Sequence, residues 1–180
     1  YLLDQTFNCL PEKYNGKVPS HCKKLLGSSF ALLRSEFARD YKNVTREHLL
    51  IMFGGSDPDN LTQKVLKLLQ ETPISITKKV VLSASAKHIV EIEPFARQLD
   101  DVELFISPTN LVQLMSSSIL AVGAAGSTSW ERCSLGLPTV MIIQADNQRE
   151  IAENLKNAGV ATALEVEQIE DELIGEIKEW

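Results

Sequence analysis

His48-Leu49-Leu50-Ile51-Met52-Phe53-Gly54-Gly55-Ser56-Asp57-Pro58-Asp59-Asn60-Leu61 joins an apolar run, a pair of glycines and a polar turn in one stretch. The run has the length of a strand and is apolar at consecutive positions, so both of its faces are covered, as in a central strand of a parallel sheet. After the turn, Leu61 to Gln70 carries Val65, Leu66, Leu68 and Leu69 on one side, which predicts an amphipathic helix.

The same unit repeats toward the carboxyl end. Further strand-length runs are Thr77 to Ser83, Val102 to Ser107, Ile119 to Val122, Thr139 to Ile143 and Val160 to Leu164. Helical patterns lie between and after them, at Lys87 to Leu99, Leu111 to Ser116, Thr128 to Leu135, Gln148 to Ala158 and Gln168 to Trp180. Strand and helix alternate as in βαβ units, which predicts an α/β fold: a Rossmann-like, doubly wound parallel sheet of about six strands. Ligands of such sheets sit beyond the carboxyl ends of the strands, near the switch in strand order.

Upstream the pattern is lost. Residues 1 to 45 hold Pro11, Gly16, Pro19 and Gly27 and one short apolar piece, Phe30 to Leu33, and read as a connecting segment before a domain at 46–180. The chain opens on Tyr1 rather than Met, as though cut from a longer polypeptide.

With 180 residues, 44% hydrophobic and 23% charged, the composition is that of an ordinary globular domain. The net charge of −6 is confined to Glu165–Trp180, where seven carboxylates face Lys178 alone, so the rest of the chain is neutral and the acidic end reads as a solvated helix face. A neutral body without a Lys/Arg stripe argues against nucleic acid as a partner. No apolar stretch has the roughly 20 residues of a membrane span, and no signal peptide opens the chain. The expectation is a cytoplasmic protein. Cys9, Cys22 and Cys133 show no CxxC spacing and read as buried free thiols; with His21, His48 and His88 scattered, no metal site is expected.

Three loops follow strands and precede helices. In Gly54-Gly55-Ser56 the glycines let a ligand approach the backbone, and a phosphate could rest at the following helix start; equally, Asn60 and Gln63 could form a capping box. In Gly123-Ala124-Ala125-Gly126-Ser127-Thr128-Ser129-Trp130-Glu131, small residues leave the amides of Ser127 to Ser129 open to a diphosphate, with no lysine required. Glu131 could take both hydroxyls of a ribose, or it could close a capping box with Thr128. The glycines do not form the dinucleotide fingerprint, so NAD is disfavoured and no cofactor is expected. In Gln144-Ala145-Asp146-Asn147-Gln148, Asp146 or Asn147 could be an N-cap or part of an orienting polar site. All three loops should open on one sheet edge. There is no Ser-His-Asp order, no P-loop lysine motif and no carboxylate pair at the strand ends, so the chain reads as a binding half.

The run Gly123–Cys133, with Leu135-Gly136-Leu137-Pro138 and Ala145-Asp146-Asn147-Gln148, resembles the UDP-2,4-diacetamido-2,4,6-trideoxy-β-L-altropyranose hydrolases of pseudaminic acid biosynthesis. Leu3-Asp4-Gln5-Thr6, Leu26-Gly27, Phe30–Phe37 and Phe53–Pro58 extend the resemblance over nearly the whole chain. More distantly the sequence is similar to the carboxy-terminal half of the N-acetylglucosaminyltransferase that completes the peptidoglycan lipid precursor. The resemblance implies the second domain of a glycosyltransferase-B-type enzyme, with residues 1–45 as interdomain connector and end of a missing amino-terminal domain, and a UDP-sugar as substrate. By it, Glu131 binds the ribose, Gly126, Ser127 and Thr128 the diphosphate, backbone at Ile106 the uracil, and Gly54, Gly55 and Ser56 face the sugar-phosphate. Asn147 supports catalysis beside the sugar, with Gln148 next to it. It further implies metal-independent attack by water, with the base a histidine in a Gly-x-Gly-His loop of the first domain. No such loop occurs in this sequence, so the chain alone is expected to be inactive. The alternatives are a UDP-sugar-dependent glycosyltransferase of the same fold and a non-catalytic sugar-nucleotide-binding module.

Overall fold

The computed structural model describes residues 1–38, 41, 44–72 and 74–180. Six parallel strands form the main sheet: β3 (His48–Met52), β4 (Thr77–Leu82), β5 (Val102–Ile106), β6 (Ser118–Ala124), β7 (Thr139–Ile143) and β8 (Ala161–Glu165). Their order is β5-β4-β3-β6-β7-β8, so the chain winds outward from β3 in one direction and then from β6 in the other. The switch falls between β3 and β6, which pair in parallel from His48–Ser118 to Met52–Gly123.

The helices are α1 (Leu61–Glu71), α2 (Ile89–Ala96), α3 (Leu111–Ser116), α4 (Thr128–Ser134), α5 (Asp146–Asn157) and α6 (Ile169–Glu179). Alternation within strands divides the core. Leu49, Ile51, Val80, Leu82, Val122 and Ile142 pack under α1, α2 and α6, while Leu50, Met52, Val81 and Ala121 pack against α3 and the end of α4. A third cluster joins Met141 and Ile143 to Trp130 of α4 and Ala152 and Leu155 of α5. Every residue of β7 is buried, which is why its sequence shows no alternation.

Element identities agree with the sequence pattern, and the ends differ where local chemistry intervenes. The helix expected over Lys87 to Leu99 is trimmed to Ile89–Ala96, with Pro94 inside it removing a backbone donor. Helix α5 starts two residues early, at Asp146. In the connecting segment the structure adds what periodicity did not show: β1 (Leu2–Asp4) and β2 (Lys24–Leu26) pair in parallel, at three residues each too short to register as a pattern.

That segment is pinned by Asp4. Its carboxylate accepts from the Thr6 amide (2.9 Å), Cys9 Sγ (3.2 Å), Lys13 Nζ (3.1 Å) and Tyr14 Oη (2.5 Å), and Lys13 also reaches Glu150 of α5 (2.6 Å). Burial alone would raise the Asp4 pKa, but the donors from Tyr14, Thr6 and Cys9 outweigh it and hold the carboxyl well below the usual range. The cysteines are free, but the expectation that they are buried fails: Cys9 and Cys22 are half-buried and Cys133 is exposed. Among the described residues no helix is long and apolar enough to cross a membrane.

Candidate functional site

Because the strands are parallel, the loops after β3, β6 and β7 all leave from one edge, and the first two flank the switch point directly. The close approach there is built on Gly123: a Cβ at this position would lie 2.2 Å from the Met52 carbonyl oxygen and 2.7 Å from Arg132 Nη1. Only a glycine lets β6 pass β3 and the arginine together. The two helices that follow are finished in different ways.

At the start of α1, the capping box that the spacing of Asn60 and Gln63 left open does not form. Asn60 adopts a left-handed conformation (φ 54°) and its amide donates to Gln63 Oε1 (2.9 Å), while the cap is made by buried Asp57, whose two oxygens accept from the amides of Leu61 and Thr62 (2.9 Å each). Those amides are therefore occupied, and a phosphate has no place at the start of α1. Gly54 (φ 78°) supplies the turn that brings Asp57 round, and Gly55 and Ser56 are exposed beside it. The loop is fastened to its neighbour by the Lys87 amide on the Ser56 carbonyl (3.1 Å) and by His88 Nε2 against the Pro58 carbonyl (3.1 Å).

At α4 the alternative of a capping box between Thr128 and Glu131 fails too, and among the described residues nothing replaces it: Ser127, at the N-cap position, makes no side-chain cap. The Ser129 amide turns back to the Gly126 carbonyl (3.0 Å) and so is not open to a ligand, contrary to expectation. Among the described residues the amides of Gly126, Ser127 and Thr128 have no acceptor. A Cβ on Gly126 would meet nothing within 4 Å, and Ser127 beside it is exposed, so the loop is open to solvent at this turn.

Glu131, one turn along α4, is free of Thr128 and is engaged from outside the sheet. Arg34 of the connecting segment donates from Nε to Glu131 Oε1 (3.0 Å), pairs with Glu36 (3.1 Å) and stacks over the Phe37 ring (4.9 Å). One carboxylate oxygen is thus held, and the other has no hydrogen-bond partner among the described residues. After β7, Asp146 and Asn147 are the first two residues of α5 and Ala145 is the N-cap, so the N-cap reading of either fails. Gln148 turns its Oε1 back to the Gln144 amide (3.1 Å), and Asn147 is exposed on the edge. Ile106 ends the edge strand β5, three strand spacings from β6, or roughly 14 Å at about 4.8 Å each. Ser107, next to it, has φ 46° and caps the Ala84 amide (2.9 Å).

Several cavities among the described residues lie elsewhere. One of about 410 Å³, lined by Phe7, Trp130, Cys133, Leu137, Val160 and Trp180, opens where the chain enters β7 and β8, on the opposite edge. The candidate site is therefore an open edge with one wall.

Comparison with known proteins follows the same outline. The glycosyltransferase family 28 C-terminal domain matches residues 49–180. The chain belongs to that family. It is homologous to the UDP-2,4-diacetamido-2,4,6-trideoxy-beta-L-altropyranose hydrolase of Campylobacter jejuni, with 30% identity over 81% of this chain and 53% of that protein. An uncharacterized protein of Methanocaldococcus jannaschii is 31% identical over 70% of this chain and 27% of its own length. The chain thus spans about half or less of these relatives. Among solved structures, MurG of Acinetobacter baumannii superposes with a TM-score of 0.62 over 98% of this chain and 51% of its own, at 12% identity, a likeness of fold.

Two features of this family 28 domain were not legible in sequence. Arg34 lies 97 residues from Glu131, and no local signal joins them. Arg132 looks like an ordinary helix-surface cation but is 2% exposed, with Nη2 donating to the Ala124 carbonyl (2.7 Å) and to Ser129 Oγ (3.0 Å). Burial lowers its pKa to about 10, so it stays charged at neutral pH.

Proposed function

We propose that this domain is the UDP-binding half of a nucleotide-sugar hydrolase that releases UDP from a UDP-diacetamido-trideoxy sugar, in pseudaminic acid or related surface-polysaccharide biosynthesis. The observation that carries the reading is the β6–α4 loop: three open amides, Gly126 to Thr128, and one turn later a carboxylate with a free oxygen. Amides without a side-chain cap suit a diphosphate, and a carboxylate that accepts two hydrogen bonds suits a ribose diol. Backbone at Ile106 receives the uracil, Gly54, Gly55 and Ser56 face the sugar-phosphate, and Asn147 and Gln148 border the sugar. The homology to the Campylobacter jejuni hydrolase supports the choice of reaction.

In that reaction water adds to the anomeric carbon, the bond from that carbon to the diphosphate oxygen breaks, and UDP departs with the electron pair. This chain's residues hold and neutralise the leaving group; the proton of the attacking water passes to a base in a preceding domain, which faces the open edge. The domain works where UDP-sugars are made, in the cytoplasm, without metal or cofactor.

Calorimetric titration of the chain with UDP, UMP and CMP tests the binding half, and the absence of a preference for uridine nucleotides contradicts it. For the two-domain protein, release of UDP and free sugar in water supports hydrolysis. Turnover only with an added alcohol acceptor assigns the domain to a transferase instead, and no turnover assigns it to a binding module.

A further inference from the structure

Two cations are buried among the described residues, and only one of them is in an ion pair. Lys78, 2% exposed, pairs with Asp101. Arg132, also 2% exposed, has no carboxylate within ion-pair distance among the described residues. Its Nη2 is used on the Ala124 carbonyl and Ser129 Oγ, both belonging to the β6–α4 loop or its first turn, and its Nε is buried with no acceptor. The guanidinium lies against Gly123, where a Cβ would come within 2.7 Å of Nη1. A buried charge without a partner is costly, and a charge-neutral side chain of similar length would be the cheaper filling.

We infer that Arg132 is a positioning residue whose buried charge holds a phosphate-bearing ligand on the Gly126–Thr128 loop, acting from beneath through the loop's own backbone. The inference rests on the reading of this loop as the diphosphate site. It accounts for an otherwise odd pairing: a body of zero net charge, whose loop from Gly123 to Glu131 carries no cation of its own, offered to an anion. In the poorly screened interior a fixed charge reaches further than one in water. Its effect grows with the charge on the ligand: largest for UDP, smaller for UMP and absent for uridine.

The test compares wild type with Arg132→Gln, which keeps a donor for the Ala124 carbonyl but no charge, and Arg132→Lys, which keeps the charge. Affinities for UDP, UMP and uridine are measured by calorimetry and ligand-observed NMR. Arg132→Gln should lose about tenfold or more for UDP, less for UMP, and stay within about twofold for uridine, while Arg132→Lys retains most of the preference for UDP over uridine. Equal losses for all three ligands, or an unchanged UDP affinity, overturn the inference and leave the site intact. A wild-type chain that binds no uridine nucleotide overturns the reading of the site as well. Should the glutamine variant not fold, the Arg132 Nε–H resonance of the wild-type chain decides: it shifts with UDP and not with uridine, and a resonance that neither ligand moves contradicts the role.

Discussion

Helices α1 and α4 begin on either side of the switch point, after adjacent strands, yet their first turns are closed in opposite ways. Asp57 fills the start of α1 with its own carboxylate, whereas the turn into α4 has no side-chain cap and leaves the amides of Gly126, Ser127 and Thr128 without an acceptor among the described residues. Two loops that look alike as sequence, both rich in glycine and hydroxyl residues after a buried strand, are thereby separated. One is a self-contained turn, and the other is unfinished in the way a binding loop is.

The substitution with the largest expected effect removes the floor common to both. Gly123→Ala drives a Cβ into the Met52 carbonyl and the Arg132 guanidinium, and should cost about 3 kcal/mol in urea denaturation, the upper end for overpacking. Gly126→Ala, in open space, should change stability by no more than about 0.5 kcal/mol and instead weaken UDP. If the two alanines behave alike, the contrast between floor and mouth is wrong.

Next in size is Glu131→Ala, expected to weaken UDP by about 1.5–3 kcal/mol through the loss of charge-assisted hydrogen bonds. Calorimetry with 2′-deoxy-UDP separates the cause, since the variant should discriminate less between the two sugars. Asp57→Ala gives the complementary result, a loss of about 0.5–2 kcal/mol of stability, as for other caps, with UDP affinity little changed. A large fall in UDP affinity from Asp57→Ala would mean that the amides of Leu61 and Thr62 also hold the ligand.

The smallest effect belongs to the connecting segment. The hydrogen bond to Asp4 pushes Tyr14 up to about 12, so the stability it lends is complete below the ordinary tyrosine pKa and is lost as pH rises through about 12. Asp4, held below the usual carboxylate range, contributes above that range and loses its contribution as the solution becomes strongly acidic. Tyr14→Phe should cost about 1 kcal/mol by denaturation at neutral pH and remove the alkaline part of the profile.

What the sequence made legible is what depends on short-range pattern. Runs such as Val140-Met141-Ile142-Ile143 read directly as buried strands, and the alternation with helices gave the parallel sheet and the edge on which the loops gather. Spacing left a capping box open at both helices and could not say which of several nearby polar side chains reaches the amides: Asp57 lies three residues before Asn60 and wins because the left-handed turns at Asp57 (φ 38°) and Asn60 fold it back. The link from Arg34 to Glu131 and the burial of Arg132 arise only when distant segments pack, and no periodicity records them. The pairing of β1 with β2 escaped for the same reason, since their partners are 22 residues apart in sequence, as Leu2 and Lys24 are.

The contrast between the two helix starts is tested most directly by mapping backbone amide shifts of the 15N-labelled chain during titration with UDP. The account predicts the largest shifts at Gly126, Ser127, Thr128 and Glu131, with Leu61 and Thr62 nearly still because Asp57 already occupies them. Shifts centred on Leu61 and Thr62, or spread without reference to the β6–α4 loop, would contradict it.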